Sequence, residues 1–393
     1  MKPANAILSA YRTTIFTVMS ALAEEHGAIN LGQGFPDEEG PEDIRCVAAE
    51  AVRDGPNQYP PMLGLPALRQ AVADANRRFY GLNVDWQSEV MVTSGATEAL
   101  ADCFLGLITP GDEVGLMEPL YDSYLPMVRR AGGVPRLVRM APPDWALPQV
   151  ALEAAFSEKT KLLVLNSPHN PSGKVFQSEE LGFIARMLER FDAYAVCDEV
   201  YEHLVFDGRA HIPLMALPGM RNRTLRIGSA GKTFSATGWK VGYVTAAPPL
   251  LAAVAKAHQF VTFTTAPNLQ RAAAYGLGKD ASYFRNLAAT QQAKRDRLSV
   301  GLRNAGFEVL DSEGSYFLTA EIRSVGFEGT DSDFCRHITM EAGVAAVPVS
   351  AFYLDGKPDH FVRFCFCKRD TILDDACARL SRHFRRRGIA AGA

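Results

Sequence analysis

Short apolar runs alternate with longer stretches of helical spacing through the middle of the chain. Val90-Met91-Val92 predicts a strand, and the apolar spacing from Ala96 to Leu107 predicts a helix behind it. Glu113 to Met117 predicts a second strand, stopped by Pro119, and Lys161 to Leu165 a third, ending at Asn166-Ser167-Pro168. A helical pattern from Glu179 to Phe191 leads into a fourth strand, Tyr194 to Cys197, which ends at Asp198. Thr224 to Ile227 is the fifth, ending at Gly228-Ser229, and Gly242 to Thr245 the sixth. Near-continuous apolar strands separated by helices indicate an α/β fold, a mostly parallel sheet covered by helices on both faces. Polar residues gather just past the C-terminal ends of these strands, where open α/β sheets bind ligands.

The pattern changes in the last third. Phe307-Glu308-Val309-Leu310, Ser315-Tyr316-Phe317-Leu318 and Phe361-Val362-Arg363-Phe364 alternate as half-buried strands do, with helical stretches between them. The expected organisation is a large α/β domain over residues 41–290, a smaller α+β domain over 291–393, and an N-terminal segment, 1–40, packing with the smaller one. No internal repeat or low-complexity linker interrupts it.

Composition narrows the function classes. With 47% apolar residues among 393 and a formal net charge of −3, the chain has material for a large core and no field to attract a polyanion. Its one basic cluster, Arg382, Arg385, Arg386 and Arg387, reads as cations at a helix C-terminus rather than a nucleic-acid patch. Seven scattered cysteines without a CxxC argue against a disulfide framework and a zinc site, so no metal is expected. The N-terminus lacks an apolar signal core, and no apolar run reaches the roughly 18 residues of a membrane span. These features point to the cytoplasm, with neither membrane nor nucleic acid as partner.

Three polar residues follow successive strands. Lys232 lies in Ser229-Ala230-Gly231-Lys232-Thr233. A P-loop needs a glycine where Arg226 stands, so that reading fails. A single lysine is more often a surface cation, but small residues before Lys232 let the backbone approach a ligand closely, and a lysine at a buried strand end is a candidate imine-forming amine. Asp198, in Cys197-Asp198-Glu199-Val200-Tyr201, reads alone as a strand-end cap and Tyr201 as a core aromatic. A carboxylate is also what holds a proton on a pyridinium nitrogen, with Tyr201 placed to bond the ring's 3-oxygen. Asn170 sits in the turn Ser167-Pro168-His169-Asn170-Pro171, where a fixed amide could meet the same oxygen. Thr93-Ser94-Gly95-Ala96-Thr97 gives a strand, a glycine and a helix start, the arrangement that offers backbone N–H groups to phosphate; Ser229 and Lys240 add a hydroxyl and a cation. Gly32-Gln33-Gly34 starts a dinucleotide fingerprint, but Asp37 occupies the third glycine position.

Taken together the residues resemble the class I/II, fold-type I aminotransferases that depend on pyridoxal 5′-phosphate (PLP). Within them the resemblance is to the group of kynurenine aminotransferase (glutamine transaminase K) and methionine aminotransferases. It runs almost the whole chain, through Asn30-Leu31-Gly32-Gln33-Gly34-Phe35-Pro36-Asp37, Asn57-Gln58-Tyr59, Glu118-Pro119-Leu120-Tyr121-Asp122-Ser123-Tyr124, Asn170-Pro171, Asp198-Glu199-Val200-Tyr201, Gly228 to Tyr243, and Val362-Arg363-Phe364. The resemblance implies a fold-type I architecture and a homodimer with shared active sites. It implies that Lys232 holds PLP as a Schiff base and shuttles a proton, that Asp198 pairs with the ring nitrogen, and that Tyr201 and Asn170 bond the 3-oxygen. By the same resemblance, Tyr121 would stack on the ring, and Ser229, Lys240 and the N–H groups of Ala96 and Thr97 would hold the phosphate, joined by Tyr59 from the neighbouring subunit. The resemblance further implies that Arg363 takes the substrate α-carboxylate, helped by Asn170 and Gly34, while Phe16, Tyr124 and the other subunit's Phe263 surround the substrate side chain.

The family segment often carries two glycines and a tyrosine where Gly95-Ala96-Thr97 stands, and the animal kynurenine enzymes of the group carry a tryptophan at Phe16 and a histidine at Thr264; these departures bear on the substrate, not the cofactor. The expected activity moves an amino group between a neutral, methionine-, glutamine- or aromatic-type L-amino acid and a 2-oxo acid. A carbon–sulfur β-lyase acting on cysteine conjugates is the alternative on the same fold. A regulator built on such a domain would need a DNA-binding module, for which the matching segments leave no room.

Overall fold

A computed structural model describes residues 2–390, with side chains to residue 385, so the side chains of Arg386 and Arg387 in the basic cluster lie outside the described residues. The strands run β1 (Ile29–Asn30), β2 (Val90–Thr93), β3 (Glu113–Glu118), β4 (Val134–Arg139), β5 (Thr160–Asn166), β6 (Tyr194–Asp198), β7 (Thr224–Ser229) and β8 (Gly242–Ala246). They continue with β9 (Glu308–Val309), β10 (Phe317–Glu321), β11 (Val344–Ala345), β12 (Val347–Pro348) and β13 (Phe361–Cys365). The large sheet has the order β2-β8-β7-β6-β5-β3-β4, and only β8 runs against the rest. Successive residues of β5 and β6 show why both faces are apolar. Leu162, Val164 and Val196 enter a core shared with Leu100, Phe104 and Val254. Leu163, Leu165, Ala195 and Cys197 enter the opposite core, against Leu181, Ile184 and Leu188 of the helix Ser178–Arg190. A strand covered on both sides has no polar face, so its sequence shows a run rather than an alternation.

The expected helix occupies Ala96–Leu107, and each of the six expected strands is present. One strand of this sheet was not expected, and neither were the two-residue strands β1, β11 and β12 outside it. β4 lies at the sheet edge beside β3, and its Pro135, Arg136 and Arg139 break the apolar run that marks the others.

The second sheet, β12-β13-β10-β9, is antiparallel. Here β13 departs from the half-buried expectation, because all five of its residues are buried. It is flanked by β12 and β10, and its alternating sides meet two bodies of the protein. Val362 and Phe364 pack in the core that holds Phe334 and Phe384, while Phe361 joins the core under the large sheet's other face. The N-terminal segment reaches this region through β1, which pairs in parallel with β11 at Ile29↔Val344 and Asn30↔Ala345. The long helix Ala281–Asn304 runs through the expected 290/291 division.

Register brings the polar strand ends together. Asn166 pairs with Asp198, and Asp198 with Ile227, so β5, β6 and β7 deliver Asn166, Asp198 and Ser229 to one edge of the sheet.

Candidate active site

Above that edge lies a cavity of about 310 Å³. Its walls include Phe16, Gly34, Ala96, Thr97, Tyr121, Asn170, Asp198, Tyr201, Ser229, Lys232, Lys240 and Arg363, residues from widely separated segments of the sequence. Lys232 stands in the short helix Ala230–Thr233, whose start is capped by Ser229 Oγ accepting from the Lys232 N–H at 3.3 Å. Its amine donates to the Tyr316 hydroxyl at 2.8 Å, and that hydroxyl donates to Gly34 O at 2.6 Å. Burial lowers the pKa of the amine below the usual lysine value, which raises the fraction present as a nucleophile and base.

Asp198 is buried at the end of β6. Its Oδ2 accepts the Tyr124 hydroxyl at 2.6 Å, while Oδ1 has no hydrogen-bond partner. Burial raises the pKa of this carboxyl, and the Tyr124 bond opposes the rise. Asn166 supports the strand end through Nδ2 to Asp198 O at 2.8 Å and accepts the Asn170 N–H on Oδ1 at 2.7 Å. Tyr201 is buried edge-on to the Tyr316 ring, 5.0 Å between centroids.

Arg363 is 1% exposed. Nη1 donates to Asn170 Oδ1 at 2.8 Å and Nη2 to Gly32 O at 2.7 Å, and Nε has no partner. The guanidinium lies over the Phe317 ring at 3.9 Å, with Phe16 at 5.1 Å. Burial lowers its pKa to about 10, because its acceptors are neutral. A buried cation that meets only neutral acceptors is a place for an incoming carboxylate. Gly34 is required for close approach here, since a Cβ would stand 2.8 Å from Phe317 Cζ.

The helix Ala96–Leu107 begins at Gly95, whose φ of +82° and ψ of 171° suit glycine, and Gly95, Ala96 and Thr97 line the cavity. Lys240 is beside it: a Cβ on Gly95 would be 3.2 Å from Lys240 Cε.

Three of the expected site residues do not line this cavity, two of them, Tyr59 and Phe263, being expected in the neighbouring subunit's site. Tyr124 was placed against the substrate side chain, but its hydroxyl is committed to Asp198 and the residue is 4% exposed. Tyr59 and Phe263 do not line the cavity of their own chain. They are 82% and 42% exposed and meet edge-on at 5.6 Å on the surface. Sequence reasoning missed Tyr316 and Asn166. Asn166 had a signal, as the last residue of a strand in register with Asp198. Tyr316 had none, because it reaches Lys232 only through the packing of the second sheet over the first.

The model of the family described as aminotransferase class I and II matches residues 26–380. A probable N-succinyldiaminopimelate aminotransferase of Mycobacterium tuberculosis is 44% identical, covering 95% of this chain and 97% of its own. The methionine aminotransferase of Escherichia coli is 40% identical over 94% of this chain and 95% of its own. The solved structure of the M. tuberculosis enzyme superposes with a TM-score of 0.94 at 44% identity, over 97% of this chain and all of that one, 100%.

Proposed function

This chain belongs to the class I and II aminotransferases, and from that premise we propose that it holds PLP against Lys232 and transfers amino groups between neutral L-amino acids and 2-oxo acids. The observation that carries the reading is the pairing, in one cavity, of the half-buried Lys232 amine with a buried carboxylate whose Oδ1 has no partner. A protonated ring nitrogen is the donor that Oδ1 requires, and the Gly95-Ala96-Thr97 helix start with Lys240 suits a phosphate. The residues present therefore fit the cofactor.

When bound, PLP supplies an electron sink for the bond broken at the substrate α-carbon. Asp198 keeps the ring nitrogen protonated, and Tyr124 fixes the rotamer of that carboxylate. Arg363 and Asn170 hold the substrate α-carboxylate and so aim its Cα–H at Lys232. Lys232 Nζ takes that proton. Tyr316, oriented by Gly34 O, limits the directions in which the amine can point.

Selectivity follows from the lining. The aromatic residues lining the cavity are Phe16, Phe35, Tyr121, Tyr201 and Phe317, and the cations among the described lining residues are Lys232, Lys240 and Arg363. No second arginine faces Arg363 there, so a side-chain carboxylate closed into this space is left unpaired, at several kcal/mol. That corresponds to about a hundredfold in specificity. Steady-state kinetics over a donor panel test it, with methionine, phenylalanine, glutamine, kynurenine, aspartate and, because of the M. tuberculosis relative's name, N-succinyldiaminopimelate. Methionine or phenylalanine is expected to lead in kcat/KM by at least that factor over aspartate. A lead for aspartate or N-succinyldiaminopimelate would contradict the neutral-donor reading.

The same reading makes the protein a homodimer in a reducing compartment, the cytoplasm. Tyr59, Phe260, Val261 and Phe263 form an exposed apolar group, and the seven cysteines are free thiols, Cys365 and Cys367 among them with Sγ atoms 3.1 Å apart. Among the described residues no helix is long and apolar enough to cross a membrane.

A further inference from the structure

His258 lies outside the cavity and has no part in the chemistry above, yet three segments of the site converge on it. It is 0% exposed, in the helix Pro248–Val261. Nδ1 faces Glu98 Oε1 at 2.8 Å and Asp102 Oδ2 at 3.6 Å, both on the helix that begins at the phosphate wall. Glu98 Oε2 in turn accepts the backbone N–H of Ser94, next to Gly95. The other ring nitrogen, Nε2, is 2.9 Å from Met62 O. A carbonyl only accepts, so Nε2 carries a proton. Met62 is three residues beyond Tyr59. The backbone carbonyl of His258 accepts the N–H groups of Thr262 at 3.1 Å and Phe263 at 2.8 Å, fixing the turn in which Phe263 adopts a φ of +70°. Ser94 Oγ also meets Thr265 Oγ1 at 2.9 Å. His258 thus touches the base of the chain's own phosphate wall and the bases of the two aromatic residues it presents outward.

We propose that His258, as an imidazolium held by Glu98 and Asp102, is a positioning residue that couples the phosphate wall of its own subunit to the Tyr59 and Phe263 segments serving the partner's site. The inference rests on the shared-site dimer of the proposed function. A shift of the Ser94–Glu98 turn is transmitted through Glu98 and the imidazolium to Met62, because the two ring nitrogens are rigidly opposed and both are engaged. Each active site then reports on the state of the other through one buried side chain.

Backbone amide hydrogen exchange tests the local part on cofactor-free dimers. In His258→Leu, exchange at residues 59–65 and 94–97 is expected to rise together by about tenfold or more, the order of a lost hydrogen bond to a charged group, while exchange in β13 stays unchanged. A merely structural role raises exchange throughout, or in neither segment selectively. If His258→Leu does not fold, His258→Gln, which can still donate to Met62 O, is measured instead and is expected to protect residues 59–65 while loosening residues 94–97.

Mixed dimers test the coupling through the rate of cofactor release from the site that retains Lys232, with wild type paired to Lys232→Ala as the reference. Release is expected to quicken by about tenfold when His258→Leu is on the Lys232-bearing chain, and also when it is on the Lys232→Ala chain. An unchanged rate in the second arrangement overturns the coupling; an unchanged rate in both overturns the positioning role. Tyr59→Phe placed on each chain in turn is the control for sharing. If it acts only on the Lys232-bearing chain, the dimer reading has failed rather than the role of His258. One metal ion per chain among Glu98, Asp102 and His258, whose ligand atoms lie within 4.8 Å of one another, also overturns the proposal, since Nδ1 would then carry no proton.

Discussion

At the scale of single residues the site is an arrangement of buried charges whose partners are incomplete within the chain. Asp198 has one oxygen on Tyr124 and one without a donor. Asp198→Ala is expected to retain some cofactor but to lower kcat by at least about a hundredfold, because a buried charge pair is lost; near-normal turnover would show that the ring lies elsewhere. Tyr124→Phe should lower kcat by roughly tenfold, the order of one hydrogen bond to a carboxylate, with the apparent Kd for substrate little changed. A change in substrate affinity alone would return Tyr124 to the side-chain pocket where the sequence had placed it. His258 gives a pH signature. Burial opposes its charge, but Asp102 and Glu98 outweigh that and raise its pKa to about 9. A folded-state pKa above the unfolded value of about 6.5 means that its stabilisation is complete below that pH. It is lost as pH rises through about 9. The difference in melting temperature between wild type and His258→Gln should therefore narrow between about pH 6.5 and pH 10, and a constant difference would contradict a charged His258.

Elements explain which of these residues could be read from the sequence. Asn170 and Asp198 follow strands whose nearly unbroken apolar runs betray burial on both faces, and Lys232 follows β7, where the buried Arg226 interrupts the run but the small residues after it mark the strand end, so their place at the ligand edge was legible. The edge strand β4 was hidden because exposure relaxes the need for apolar residues, and its burial alternates with Pro135 and Arg136 in the run. In β13 the error ran the other way. Alternation in Phe361-Val362-Arg363-Phe364 suggested a wet face, whereas Arg363 is buried against Phe317 and the face is dry. A single charged residue among apolar ones reads as exposure unless its ligand is known. Tyr316 was invisible for a related reason, since its partners Lys232 and Gly34 are distant in sequence. The Gly95 turn gives a test at this scale. A side chain at φ +82° and ψ 171° costs roughly 1–3 kcal/mol, and its Cβ crowds Lys240. Gly95→Ala should therefore lower the melting temperature of the cofactor-free protein and weaken PLP binding. A melting temperature unchanged by the substitution would mean that the turn is not strained by a Cβ.

For the whole molecule, the division of labour between the two sheets is what makes a cavity. The segments that follow the large sheet's strands supply the amine, the carboxylate and the helix start at Gly95 proposed to hold a phosphate. The second sheet supplies Arg363, with Tyr316 just before β10 reaching Lys232, and the N-terminal segment, tied down by β1 on β11, supplies Gly34 and Phe16. The helix Ala281–Asn304 passes continuously between the regions expected to be separate domains. Tyr59 and Phe263, turned outward, account for the expectation of a dimer. An inactive Lys232→Ala chain mixed with a crippled Tyr59→Phe chain should regain activity, because one of the two sites in each mixed dimer then has both residues. No recovery despite confirmed subunit exchange would place Tyr59 outside the partner's site.

The proposed chemistry depends above all on Lys232 as the residue that takes the cofactor. Borohydride reduction of the PLP-loaded protein, followed by peptide mapping, measures that directly. The predicted result is one cofactor per chain, covalently attached at Lys232 and absent from Lys232→Ala. Attachment at another lysine, such as Lys240, would contradict the site from its centre outward.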